Sequence, residues 1–186
     1  VLSRLFSEQR ITQRPKACLV AALMCLTACQ SNILPSIQLP QQVALGDAEI
    51  IALEQRLAQQ GVQITSIGQD YLLNVPARSL FGDQSPRLTR ESYKQLNEIA
   101  CYLRQVRTVG LNVAVFTSRY VSPKREHALS TARAHTVANY LWSQGIESRL
   151  LFTQGMGSDK PIVTTSREGD KSPNSRVEIT FRRTIV

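Results

Sequence analysis

The spacing of apolar positions changes several times along the chain, and each change marks an element. A continuous apolar run fills residues 17–26, after which residues 30–46 scatter single aliphatics among Gln, Ser, Asn, Pro35 and Pro40 with no period, the pattern of an extended tether. Ile50, Leu53 and Leu57 then recur at helical spacing between Asp47, a side chain suited to capping, and Gly61, so a helix is predicted over 47–61. Residues 62–67 and 71–75 are two short strands around Gly68-Gln69-Asp70, a hairpin with a glycine in its turn and Pro76 at its end. Thr89 caps a long helix whose stripe is Leu96, Ile99, Leu103 and Val106 and which ends near Gly110. Residues 111–117 form the next strand. Ser122 and Pro123 stand as cap and first residue of a helix running through Leu129, Arg133, Val137 and Leu141 to Gly145. Residues 149–154 are strand-like, Gly155-Met156-Gly157 turns the chain, and residues 177–181 alternate as a final strand. The order β-β-α-β-α-β-β places the fold in the α+β class: an open mixed sheet with helices packed on one face and the other face partly covered or solvated.

The first apolar run has a different purpose. Arg4, Arg10, Arg14 and Lys16 precede it against the single acid Glu8, giving a basic flank before an apolar stretch of roughly ten residues. A helix needs roughly 20 to cross a bilayer, so this segment is too short for a permanent span. Leu26-Thr27-Ala28-Cys29 follows at once and resembles the lipobox of bacterial lipoproteins. The resemblance implies a signal peptide over residues 1–28, lipidation of Cys29, and a tether over residues 29–46. Gln30 stands where such lipoproteins carry an aspartate for inner-membrane retention, which implies a lipid anchor in the outer membrane and a domain in the periplasm. No cofactor is implied beyond the covalent lipid on Cys29.

Removing the signal changes the composition. The chain carries 22 Lys and Arg against 14 Asp and Glu, and without the four bases and one acid of the signal the net charge is about +5. That charge suits anionic headgroups or a polyanionic wall. No basic run is interleaved with aromatics, which argues against nucleic acid as a partner. Cys18 and Cys25 leave with the signal, so Cys101 remains as a lone thiol within a helical pattern and reads as a packed small hydrophobe. His127 and His135 have no third ligand at metal spacing. No nucleophile, base and orienting group stand in a recognisable arrangement, so the sequence does not read as an enzyme. Its length suits one domain with a sizeable core plus the tether, residues 62–184 forming the globular part.

A second resemblance carries the functional reading. Phe116-Thr117-Ser118-Arg119, Leu129-Ser130-Thr131-Ala132-Arg133-Ala134, Val137-Ala138-Asn139-Tyr140-Leu141, Gly145-Ile146, Gly155-Met156-Gly157, Pro161 and Asn174-Ser175-Arg176-Val177-Glu178-Ile179 are similar to the C-terminal domain of OmpA. That module binds peptidoglycan and recurs in flagellar stators and the Pal lipoprotein. It implies a β-α-β-α-β-β domain, with Leu80-Phe81 and the Leu96 helix extending the match. In that family an aspartate after the strand-end threonine and an arginine on the following helix grip the zwitterionic end of diaminopimelate. The carboxylate takes the ammonium, and the guanidinium takes the carboxylate through two parallel bonds.

The resemblance assigns the peptidoglycan positions to Thr117, Ser118, Arg133, Asn174 and Arg176. The arginine is present as Arg133, but Ser118 replaces the acid, Val121 replaces a glycine, and one of the paired arginines after Asn174 is Ser175. A serine cannot neutralise an ammonium, and the lost charge-assisted bond is worth roughly 1.5–3 kcal/mol. Glu126 and Asp159 are candidates to replace the missing charge. Two functions follow: a wall anchor working through Arg133, Asn174 and Arg176, or an assembly protein whose weakened groove leaves the fold to make contacts with other envelope proteins. The lipobox, short tether and Ser118 together also resemble the lipoprotein subunits of type IVB secretion systems, which implies a place in the core complex of such a machine.

Overall fold

The computed structural model describes residues 47–106, 108–147, 151–164 and 169–183. The signal segment, Cys29, the tether, the capping side chain of Asp47 and the expected strand start at Arg149 lie outside the described residues.

Helix α1, Asp47–Gln59, turns Leu53 and Leu57 into the core. Gly61, at φ +83°, ends it as the N–H of Val62 bonds the Leu57 carbonyl at 3.0 Å. Strands β1, Gln63–Ile67, and β2, Asp70–Pro76, pair antiparallel with Ile67 opposite Asp70, so the hairpin closes over Gly68-Gln69. A single turn of helix, α2, Ala77–Leu80, leads to α3, Ser92–Gln105, where the Ser92 N–H donates to Thr89 Oγ1 at 3.3 Å. Helix α3 stops well before Gly110, and β3, Thr108–Phe116, already includes that glycine. The physical reason is pairing: Thr108 and Val109 find partners in the last strand, and Gly110, at φ +67°, absorbs the register shift between Val109 and Leu111.

Helix α4, Pro123–Ser143, opens with Ser122 accepting from the Arg125 N–H and Pro123 in the first turn. Strand β4, Leu151–Gly157, runs parallel to β3 and contains Gly155-Met156-Gly157, which the sequence pattern assigned to a turn. These glycines serve packing. A Cβ on Gly155 would overlap Thr131 of α4, and the Gly157 N–H donates to Ser130 Oγ at 2.9 Å. After a 3-10 turn, Gly169–Lys171, comes β5, Arg176–Arg183, the last described element.

The sheet order is β1-β2-β5-β3-β4, so the last strand inserts at the centre. Leu73, Val75, Leu111, Val113, Val115, Val177, Ile179 and Phe181 face one side and join Leu53, Leu57, Leu96, Ile99, Leu103, Val137 and Leu141 from the helices in a single core. Helix α1 therefore packs on its own domain, with Tyr102 of α3 donating to Glu54 at 2.8 Å. The opposite face is partly solvated: Leu72, Asn112 and Thr180 are half-buried and Phe152 is exposed, while Ala114 and Phe116 are buried, the latter under Arg176. Cys101 is a free, half-buried thiol against the core.

Candidate functional site

At the C-terminal end of β3 the chain runs through Thr117 and Ser118, both buried. The Thr117 N–H donates to the Gly157 carbonyl at 2.8 Å, which fixes the strand end against β4. The Ser118 N–H donates to Ser175 Oγ at 3.0 Å, and the Ser118 hydroxyl donates to the Gly169 carbonyl at 2.7 Å. Ser175 also donates to that carbonyl, at 3.0 Å, filling both of its lone-pair sites. Serine at 118 thus does something an acid could not: it donates to a carbonyl and pins the turn that precedes β5.

That turn carries Asp170, which the sequence reading did not single out. Arg133, on the inward side of α4, is 0% exposed. Its Nη1 and Nη2 donate to the two carboxylate oxygens of Asp170 at 2.7 and 2.8 Å, Nε donates to the Ser85 carbonyl at 2.9 Å, and Nη2 also reaches the Gly82 carbonyl at 3.3 Å. The guanidinium stands over the Phe81 ring at 4.8 Å from its centroid. Asp170 Oδ2 takes a further bond from the Gln84 N–H at 2.7 Å. Gln84 holds φ +48°, the one non-glycine positive φ among the described residues, and that bend presents its N–H to the carboxylate. Burial alone would raise the Asp170 pKa, but the bonds from Arg133 and Gln84 outweigh it and hold the carboxyl below its ordinary range.

The other assigned residues form a separate staple. Asn174 Oδ1 accepts from the N–H groups of Ile162 and Val163 at 2.7 and 2.9 Å, and its amide donates to the Val163 carbonyl at 2.8 Å. Arg176 lies over the Phe116 ring at 3.9 Å, pairs with Glu178 at 2.7 Å, and reaches the Lys160 and Asn174 carbonyls at 3.3 Å. Asn174 and Arg176 therefore tie the segment after β4 to the start of β5. Glu126 is buried and accepts from the Tyr120 N–H and the Ser158 hydroxyl, both at 2.7 Å, while Asp159 is exposed. In the structure, the carboxylate at Arg133 is that of Asp170.

An open cleft of about 600 Å³, lined by Arg78, Phe81, Asp83, Tyr120, Asp170 and Lys171, reaches the aspartate of the pair, while Arg133 is not part of its wall. Among the described residues no cluster of His, Cys, Asp and Glu is arranged to hold a metal ion, and no helix is long and apolar enough to cross a membrane.

Comparison with known proteins adds context to this geometry. The sequence profile of the OmpA family matches residues 80–175, which include Ser118, Arg133, Asp170 and Asn174. The probable lipoprotein YiaD of Escherichia coli is 31% identical over 135 residues, 73% of this chain and 62% of that protein. The peptidoglycan-binding protein ArfA of Mycobacterium tuberculosis is 30% identical over 99 residues, 53% of this chain and 30% of that protein. The chain thus spans less than two thirds of either relative. Among solved structures, the cell wall anchor of the T6SS from Pseudomonas aeruginosa superposes with a TM-score of 0.62 at 27% identity, covering 74% of this chain and 96% of that one.

Proposed function

The chain belongs to the OmpA family, and from that premise we propose that it is an outer-membrane lipoprotein, anchored through Cys29, whose periplasmic domain is a structural part of an envelope-spanning assembly. The assembly we favour is the core complex of a type IVB secretion system, where the domain contacts other envelope proteins. In this reading peptidoglycan is at most a weak partner of Thr117, Ser118, Arg133, Asn174 and Arg176.

One observation carries the reading: the guanidinium of Arg133 is fully buried and its two-pronged face is filled by Asp170. A zwitterionic ligand needs a free guanidinium for its carboxylate and a free carboxylate for its ammonium. Here those two groups neutralise each other, and Ser118 supplies no replacement charge. The lipobox and the likeness to the probable lipoprotein YiaD support the anchor.

A second reading is a working wall anchor. It is favoured by ArfA, named as binding peptidoglycan, and by the structural likeness to a cell wall anchor. Co-sedimentation of the full chain with purified sacculi separates the two, with palmitate labelling of wild type and Cys29→Ala as the check on anchoring. We expect label on wild type alone and the protein left in the supernatant. Pelleting that a soluble diaminopimelate-containing muropeptide competes away establishes the wall anchor instead.

A further inference from the structure

We infer that the Arg133 fork is a carboxylate-binding site occupied by the chain's own Asp170, which acts as an internal ligand that any external carboxylate has to displace. This rests on the groove reading above and adds what holds the groove shut.

Three features of the site support it. The Asp170 carboxylate makes two parallel bonds to Nη1 and Nη2 at 2.7 and 2.8 Å, the geometry with which a guanidinium takes a ligand's carboxylate end-on. Asp170 reaches that position from a separate segment, the 3-10 turn Gly169–Lys171, rather than from a strand of the sheet. The turn is fastened by the Gly169 carbonyl, which accepts from Ser118 and Ser175 at 2.7 and 3.0 Å. Residue 118 thereby decides who occupies the fork. A hydroxyl there donates and docks the turn, whereas a carboxylate would face the Gly169 carbonyl with no proton to offer and would lie close to a second carboxylate. The acid that faces Arg133 here stands at 170, and residue 118 carries none. The open cleft, with Arg78, Asp83 and Lys171 on its walls, reaches Asp170 itself, while Arg133 is fully buried.

The test uses the full chain as wild type, Asp170→Ala, Ser118→Asp, and the double variant Asp170→Ala/Arg133→Gln. Thermal midpoints are recorded in sodium formate against sodium chloride at equal ionic strength, since formate replaces the carboxyl group that Asp170→Ala removes. Calorimetry with a diaminopimelate-containing muropeptide follows. We expect formate to raise the midpoint of Asp170→Ala saturably and to leave wild type and the double variant unmoved. Muropeptide should bind Asp170→Ala and Ser118→Asp at least tenfold tighter than wild type. If Asp170→Ala folds only in formate, that dependence is the same positive result, and Ser118→Asp, which keeps both charged partners, gives the muropeptide answer. No formate effect together with no gain in either single variant overturns the inference while leaving the assembly reading intact. Wild type that pellets with sacculi, yet still gains tenfold in muropeptide affinity in the variants, removes the assembly reading and keeps the inference.

Discussion

Arg133 and Asp170 are joined by two hydrogen bonds of 2.7 and 2.8 Å, with the arginine side chain fully buried and the aspartate side chain 7% exposed. The pair links the middle of α4 to the turn before β5, and through Gly82, Ser85 and Gln84 it also holds the loop between α2 and α3. One charged contact thus fixes three segments that are far apart in sequence.

Breaking that pair from either side leaves a buried charge without its partner, so Arg133→Ala and Asp170→Ala should each cost about 3–5 kcal/mol. Replacing both together, as Arg133→Met with Asp170→Leu, should cost less than either single change because no lone charge remains. Urea unfolding of the four proteins measures this. A double variant as unstable as the sum of the singles contradicts the pairing.

The same carboxyl sets a pH dependence. Asp170 has a folded pKa below its ordinary value of 3.8, so its contribution is fully present above that value and is lost as pH falls through the lower, folded pKa. Asp70, held low first by its hydrogen bond from Arg182, acts with the same sign but on the exposed surface. Wild type should therefore lose more stability than Asp170→Asn on going from pH 6 to pH 3. Parallel curves for the two proteins would assign the acid sensitivity elsewhere.

Gly155 and Gly110 should fail for different reasons when replaced by alanine. At 155 the new methyl runs into the Thr131 backbone, and forcing α4 away from β4 should cost about 1–3 kcal/mol. At 110 there is open space but φ is +67°, and the left-handed backbone alone should cost about 1–2 kcal/mol. Asparagine distinguishes them in thermal melts: Gly110→Asn, which tolerates a positive φ, should cost less than Gly110→Ala, whereas the larger side chain of Gly155→Asn should cost more than Gly155→Ala.

Helix α1 should behave as core. Leu57 is 0% exposed, and Leu57→Ala should cost about 2–5 kcal/mol, whereas Ile51, which is 52% exposed, should change stability by about 0.5 kcal/mol or less as alanine. Denaturant midpoints decide it. Equal effects would mean that α1 is an appendage.

The order of elements was legible because the apolar positions carry it. Leu96, Ile99 and Leu103 recur at helical spacing, Val177, Ile179 and Phe181 alternate, and all six are buried. Ser122, Pro123, Gly61 and Gly145 marked boundaries through local chemistry that works in a helix of any fold. The errors came where a glycine has two uses. Gly110 and Gly155-Met156-Gly157 look like punctuation in sequence, yet the first is a bulge required by pairing with β5 and the others admit a helix against a strand.

Arg133 was found from its motif, and Ser118 was recognised as a departure from the family pattern. Asp170 was not found, because an isolated acid in a Gly-Asp-Lys turn carries no local pattern and its partner is 37 residues away.

By itself, then, the sequence determined the order of the main elements, the α+β class and the family, since hydrophobic period, caps and motif residues are properties of neighbouring positions. Only the tertiary structure decided that β5 lies at the centre of the sheet and that Asp170 fills the fork of Arg133. Both are meetings between distant segments, set by which strand edges and charges the packed core brings within hydrogen-bond reach, and no short window of residues encodes such a distance.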